Sequence, residues 1–259
     1  MNYNPGFNIE VDINTMEFVY GDDIFGPITE KRKLEDVRQT LRYHDSTGPE
    51  ILYAIAMDTG KRKHLNDLLN RNLLYGICIY ASGQVGSEPV RSQGHIHSIS
   101  VSCNYSTPEM YEILEGKAYI FMQNGADANT KSAYAIYCES GDKVIVPPGY
   151  AHCTINAEPQ SAMVFGAWCV RDYGFEYEDV RKMKGLSYFP VINEQGHIEF
   201  ESNESYGEVE LVVKEPREYC EFHVKRDMPI YTQYEENPSR FDFITNPQKY
   251  VSLWEVFTP

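Results

Sequence analysis

Between residues 72 and 172 the chain is a succession of short apolar segments, "LLYGICIYAS", "EMYEILEG", "KAYIFMQN", "DKVIVPPG", "AHCTIN" and "SAMVFGAWCV", each closed by turn-forming residues. Their side chains repeat with period two, the spacing of an extended strand whose successive residues point to opposite faces. A run of such segments joined by tight turns builds an antiparallel sandwich or barrel and cannot build a helix bundle. We therefore expect a mainly all-β chain with its core at 72–172. The 42% hydrophobic content over 259 residues suffices to fill a core of that size, and 20 tyrosines and 12 phenylalanines suit strands.

The flanks are less regular. Residues 1–71 read as an N-terminal extension with two strands, "FNIEVDI" and "EILYAIAM", that join the barrel. A short helix is expected in the charged stretch "TEKRKLEDVRQTLRYHDSTG". In "KHLNDLLNRNLL", Leu65, Leu68, Leu69 and Leu73 fall at helical spacing, which predicts a helix with one buried face. Residues 173–259 read as a C-terminal extension packed on the core or on a partner subunit. It opens with a short helix in "DYGFEYEDVRKMKG" and a hairpin in "FPVINEQGHIEFES" that turns at Asn193 to Gly196. From Glu204 onward no periodicity stands out, and the chain holds no internal repeat.

A formal net charge of −15 excludes a nucleic-acid partner, which requires clustered Lys and Arg. It leaves room for a small phosphorylated ligand, because backbone amides and hydroxyls can hold one phosphate locally. No apolar run approaches the ~20 residues that span a bilayer, so no membrane role is expected. Six cysteines without a CxxC pair, and a start, "MNYNPGFNIEVD", without the regions of a signal peptide, lead to a cytoplasmic expectation.

The chemistry concentrates in "GHIHSISVSCNYSTPEMYEILEG", residues 94–116. On extended backbone His95 and His97 share a face, and so do Glu109 and Tyr111. "GDKVIVPPGYAHCTIN" adds His152 after a Pro-Gly turn, with Thr154 and Asn156 on the same face. Three imidazoles and a carboxylate on one interior wall are the donor set of a divalent transition metal. Burying them with neither metal nor charge partner costs several kcal/mol. Cys153 points to the opposite face of its strand and reads as a small buried hydrophobe.

These residues resemble the cupin superfamily. Gly141, Pro147, Gly149, His152 and Asn156 match its second motif, G(X)5PXG(X)2H(X)3N, and His95, His97, Glu109 and Gly116 match the fixed positions of its first. One departure is the eleven residues between His97 and Glu109, where cupins have three or four, so "SVSCNYST" has to loop out. Within the superfamily the chain is similar to the cupin-type glucose-6-phosphate isomerases, through Gly94, His95, His97, Glu109, Tyr111, Gly116, Pro147, Pro148, Ala151, His152, Thr154 and Asn156. That resemblance covers roughly residues 6 to 200. It implies a double-stranded β-helix (jelly-roll) barrel with a few short helices, and His95, His97, Glu109 and His152 as metal ligands. It also implies a phosphate pocket at Ser92 and the backbone of Gly94, Tyr111 beside the sugar, and Tyr177 closing the pocket. The histidine that the family carries two residues before that tyrosine is Phe175 here.

The activity implied is interconversion of glucose 6-phosphate and fructose 6-phosphate through a cis-enediol(ate). Glu109, the only carboxylate that the motif places at the site, is the base, with hydride transfer between C1 and C2 as the other route. The metal is one divalent ion per subunit, Fe2+ first, with Mn2+, Ni2+ or Zn2+ as alternatives, and the assembly a homodimer. Two other readings stand beside it: an iron cupin dioxygenase, which the same donor set suits, and a non-catalytic sugar-binding cupin.

Overall fold

The structure, a computed structural model, describes residues 4–259. The first three residues of the quoted start "MNYNPGFNIEVD" lie outside them. Two sheets dominate. The larger has six strands in the order Lys143–Val146, Glu109–Glu115, Met163–Val170, Leu73–Tyr80, Ile51–Met57 and Glu30–Lys33, and all of its pairings are antiparallel. The smaller has four, Ala151–Asn156, Lys117–Gln123, Ser132–Glu139 and Glu210–Lys214, the last joined in parallel. From Glu109 to Val170 the chain crosses from one sheet to the other at every connection except the hairpin of Lys117–Gln123 with Ser132–Glu139, so the two sheets face each other as the expected all-β barrel.

The period-two pattern sorts each strand into two buried faces. Tyr53, Cys78, Tyr80, Tyr111, Ile113 and Phe165 of the six-stranded sheet meet Ile120, Met122, Ile136 and Cys138 of the four-stranded sheet in one interior core. The residues between them face outward and are also covered. On the outer side of the large sheet, Tyr75, Met110 and Trp168 pack against Phe7, Tyr231, Tyr234 and Phe241, so both termini of the chain are pinned to one face. The outer side of the small sheet, including Cys153, is covered by Val180, Leu186, Tyr206 and Val209. Strands buried on both faces read as nearly continuous apolar runs, which explains the density of the barrel segments.

Several local expectations change. The helix expected to include Leu73 stops at Asn70, and Leu73 opens a strand. Asn72, at φ 55, turns the chain out of the helix, a left-handed conformation that Asn tolerates better than most residues. Of the four leucines only Leu68 is buried on the helix, while Leu69 is exposed. The charged stretch holds the helix Leu34–Val37 but also the edge strand Glu30–Lys33. Charges on an edge strand discourage pairing with other chains. The hairpin Tyr188–Ile192/Ile198–Ser202 forms as expected around Asn193 to Gly196. Among the described residues no helix is long and apolar enough to cross a membrane.

Candidate metal centre and its cavity

His95 reaches the interior through backbone pairing with His152. His152 N donates to His95 O at 2.9 Å and His95 N to His152 O at 3.1 Å, which sets the two imidazoles side by side. His97 ends the short strand Ile96–His97, and Glu109 begins the next long strand opposite Val146. The eleven residues between them fold out as the small hairpin Ile99–Ser100/Tyr105–Ser106. One ligand atom from each of His95, His97, Glu109 and His152 then lies within 4.8 Å of the others.

Hydrogen bonds fix which nitrogen each ring offers. His97 Nδ1 is 2.8 Å from Thr107 O and His152 Nδ1 is 3.1 Å from Tyr150 O. A carbonyl can only accept, so both Nδ1 atoms carry the proton and both Nε2 atoms turn inward. There they face Glu109 Oε2 at 3.2 Å and 3.3 Å. A lone pair against a carboxylate oxygen is repulsive unless a proton or a cation lies between them. His95 keeps a partly accessible edge, yet its Nε2 is buried and finds no hydrogen-bond partner among the described residues. An unpaired buried nitrogen beside two inward-facing nitrogens and a carboxylate is what a divalent cation satisfies.

The protonation states agree with that donor set. Burial, reinforced by the neighbouring His152 and His97, holds His95 well below the usual histidine pKa, so it is a neutral donor. For Glu109 burial alone pushes the pKa up. Positive charge lying between it and the inward-facing Nε2 atoms of His152 and His97, a proton or a cation, outweighs burial and holds the carboxylate below its usual range. Tyr111 Oη donates to Glu109 Oε2 at 2.9 Å. Burial and then the Glu109 charge raise Tyr111 well above an ordinary phenol, so it remains a donor.

The cavity beside this cluster is lined by Tyr53, Tyr80, Ser92, Phe165, Phe175 and Tyr177, among others, together with His95, Glu109, Tyr111, His152 and Thr154. Ser92 is locked to the His152 strand, donating from N to Thr154 O at 3.0 Å and accepting from Thr154 N at Oγ at 3.1 Å. A buried ion pair steadies the same loop: Arg91 binds Glu88 and donates to Thr40 O at 2.6 Å and Ser92 O at 3.0 Å. Gly94 sits at φ 88, and a Cβ there would come 3.2 Å from Leu186 Cγ, so the turn before His95 requires glycine. Phe175 lies over the cluster, its ring 4.3 Å from that of His95 and 5.9 Å from that of His97. Asn156, by contrast, is structural: its Nδ2 donates to Ala81 O and Ser161 O.

Every site residue named from the sequence therefore lies at this cavity or in the loop beside it. Missed were the walls from the flanking strands, Tyr53, Cys78, Tyr80 and Phe165. Their alternation showed that each shared a face with its neighbours, but the strand order that brings those faces together is not encoded locally.

The insertion hairpin carries a testable anchor. The Asp172 carboxylate accepts from Ser102 N at 2.9 Å, Ser100 Oγ at 2.9 Å and Asn72 Nδ2 at 2.8 Å. The hairpin in turn offers Ser106 Oγ to Gly149 N at 2.8 Å, ahead of His152. Burial nudges the Asp172 pKa up, but the donors outweigh it and lower it. A depressed folded pKa gives stability that is present above the ordinary aspartate range near 4 and fades as pH falls through the folded value. Asp172→Asn is expected to cost about 1 kcal/mol at pH 7, the site being largely solvated. In urea titrations at pH 7 and pH 3 the difference between variant and parent should shrink at the lower pH. An equal difference at both would remove the carboxylate from that role.

Comparison with known proteins places these features in context. A family model described as "Glucose-6-phosphate isomerase (GPI)" matches residues 34–207. The chain is 26% identical over 206 residues to glucose-6-phosphate isomerase of Thermococcus gammatolerans, covering 78% of this chain and 97% of that one. It is 30% identical over 132 residues to the enzyme of the same name from Thermococcus litoralis, covering 51% of this chain and 63% of the relative. The match to that of Pyrococcus furiosus is also 30% identical over 132 residues, with 51% and 64% covered. Among solved structures it is similar to hazelnut (Corylus avellana) vicilin, at a TM-score of 0.36 and 9% identity over 48% of this chain and 32% of that one. An oxalate oxidase in complex with glycolate matches at a TM-score of 0.34 and 13% identity, with 47% and 53% covered.

Proposed function

Because the chain belongs to the glucose-6-phosphate isomerase family, we propose that it is a metal-dependent sugar-phosphate isomerase interconverting glucose 6-phosphate and fructose 6-phosphate. The observation that carries this reading is the convergence of His95, His97, Glu109 and His152 beside a cavity that also holds Tyr111, Ser92 and Tyr177. A divalent cation bound by those four residues supplies Lewis-acid polarisation of the substrate oxygens.

The remaining work falls to the chain itself. Glu109 is the only Asp or Glu lining the cavity among the described residues, and it takes the proton from one carbon and returns it to the other across the face of a cis-enediol(ate). Tyr111, donating to Glu109 Oε2, holds that carboxylate in place and keeps its second oxygen free to act. Ser92 offers its hydroxyl and Gly94 its backbone to the phosphate, while Phe165 and Phe175 make the walls apolar and exclude water. Fe2+ is the first metal to test, followed by Mn2+, Ni2+ and Zn2+. A cytoplasmic homodimer is the state to check, and the six cysteines, all free, suit a reducing compartment.

The direct test starts from chelator-stripped protein. Metals are restored one at a time with glucose 6-phosphate, fructose 6-phosphate and mannose 6-phosphate, and interconversion is followed. Stripping should abolish turnover, and the activating metal should also raise Tm by several degrees, since an ion that binds the native state alone stabilises it by mass action. Failure of every metal to restore turnover of any of these sugar phosphates would reject the isomerase.

A further inference from the structure

We propose that the buried ion pair of Glu112 and Lys143 positions the base by locking the register of the strand Glu109–Glu115, an assignment that rests on the isomerase reading above. Glu109 and Tyr111 point into the cavity only while that strand keeps one register, because a slip of a single residue turns every side chain of a strand to its other face. Two features hold that register weakly. On one side the neighbour, Lys143–Val146, is a four-residue strand at the edge of the sheet. On the other side the pairing with Met163–Val170 is broken by a bulge, since Ile113 opposes Phe165 while Glu115 opposes Val164.

The ion pair stands at that weak point. Glu112 and Lys143 are directly opposed, the last pair of the ladder that opens with Glu109 opposite Val146. Their side chains are only 4% and 5% exposed, and Lys143 Nζ lies 3.0 Å from Glu112 Oε1. Lys143 Nζ also donates to Gly141 O at 2.9 Å and to Arg226 O at 2.7 Å, which uses all three of its donors. Glu112 Oε2 accepts from Ile230 N at 3.0 Å. A buried pair whose bonds are all made in one arrangement penalises every other arrangement. Slipped by one residue, Glu112 would enter the interior core among Ile113, Val144 and Val146 with no counter-charge.

Two of the partners, Arg226 and Ile230, lie beyond the residues 34–207 that the family model matches. The C-terminal segment therefore closes the lock, and it does so from the outer face of the sheet, which Glu112 shares with Met110. Glu112 and Lys143 are positioning residues: neither is among the residues lining the cavity. An apolar pair in their place would fill the same space without the penalty, because apolar side chains suit either face of a sheet that is covered on both.

The test uses the whole chain and compares the double substitution Glu112→Leu with Lys143→Met, and Glu112→Gln alone, with the parent. Thermal unfolding, calorimetric titration of Mn2+ into chelator-stripped protein, and kinetics of fructose 6-phosphate conversion by metal-loaded protein are measured on each. Replacing a buried ion pair as a unit is often neutral for stability, and the groove lined by Glu112, Lys143 and Arg226 admits water to the backbone groups set free, so the double variant should melt within a few degrees of the parent. Its Kd for Mn2+ should nonetheless rise about tenfold and its kcat fall about tenfold, with KM within about threefold, because Glu109 serves as both ligand and base. Glu112→Gln keeps an acceptor for Ile230 N, so it should fold even if the double variant does not, and should show a smaller loss in the same direction. Parent values of Kd and kcat in both variants overturn the lock and leave the isomerase standing. Losses that appear only in proportion to a lowered Tm overturn it as well, reducing the pair to a structural element. A parent that binds Mn2+ but converts no sugar phosphate removes the isomerase, and Mn2+ binding then decides the lock alone: weakened in the variants it stands, unchanged it falls. A parent that neither binds Mn2+ nor converts the sugar phosphate overturns both.

Discussion

Glu109→Gln is expected to lower kcat about 10³-fold while leaving the fold and much of the metal in place. Placing a general base is worth about 10²–10⁴-fold, and among the described residues lining the cavity no second Asp or Glu stands ready to replace it. Glutamine is nearly isosteric, and its carbonyl oxygen can still accept from Tyr111, so the loss measures proton transfer and not collapse of the site. In the substrate-free protein two imidazoles hold Glu109 ionised below the usual carboxylate range, the protonation state a base requires. Three histidines remain to bind metal in the variant, so its metal content should stay comparable to that of the parent. Turnover within tenfold of the parent at equal metal content would take the base role away from Glu109. Solvent deuterium adds an independent reading: fructose 6-phosphate converted in D2O should yield glucose 6-phosphate labelled at C2 if a proton is exchanged with a carboxylate. An unlabelled product would favour hydride transfer between the two carbons instead.

How much of this was legible in the sequence follows from the range of the interactions involved. His95, His97, Glu109 and His152 could be found because each pairing is local: alternate residues of one strand share a face, and motif spacing fixes the rest. Even the long gap between His97 and Glu109 resolves locally, into a hairpin closed by Ser100 opposite Tyr105. The strand Ser132–Glu139 escaped notice because Ala133 and Ala135, which face the covered outer side of the small sheet, are small residues with weak strand signal. The edge strand Glu30–Lys33 was hidden by four charged residues, and its pairing with Ile51–Met57 is one that no local pattern reveals. In the last third the helices Ile230–Glu236, Asp242–Thr245 and Val251–Trp254 are four to seven residues long, too short for a 3.6-residue period to repeat. They are held by tertiary packing and not by propensity.

That packing has a single centre, and Trp168→Ala should expose it by destabilising the protein by about 3–5 kcal/mol, roughly a 10 °C fall in Tm. Trp168 is fully buried on the outer face of the six-stranded sheet. Its ring stacks on Tyr231 at 5.3 Å, with Tyr234 at 5.1 Å and Phe241 at 5.5 Å, and its Nε1 donates to Ile230 O at 3.2 Å. Removing the indole therefore leaves a cavity where the C-terminal helices meet the barrel and orphans a backbone carbonyl. The same strand faces the catalytic one: Trp168 pairs with Met110 and Ala167 with Tyr111, one and two residues beyond Glu109. Outer-face packing thus holds the backbone that carries the base, and the C-terminal segment acts as a brace for the site without touching it. Trp168→Phe keeps most of the apolar contact but loses the indole N–H, so it should cost about half as much and leave KM near that of the parent. Calorimetric unfolding of both variants, with proteolysis of the last forty residues followed in parallel, decides the point. A Tm unchanged by Trp168→Ala would mean that the C-terminal helices are not seated on this sheet.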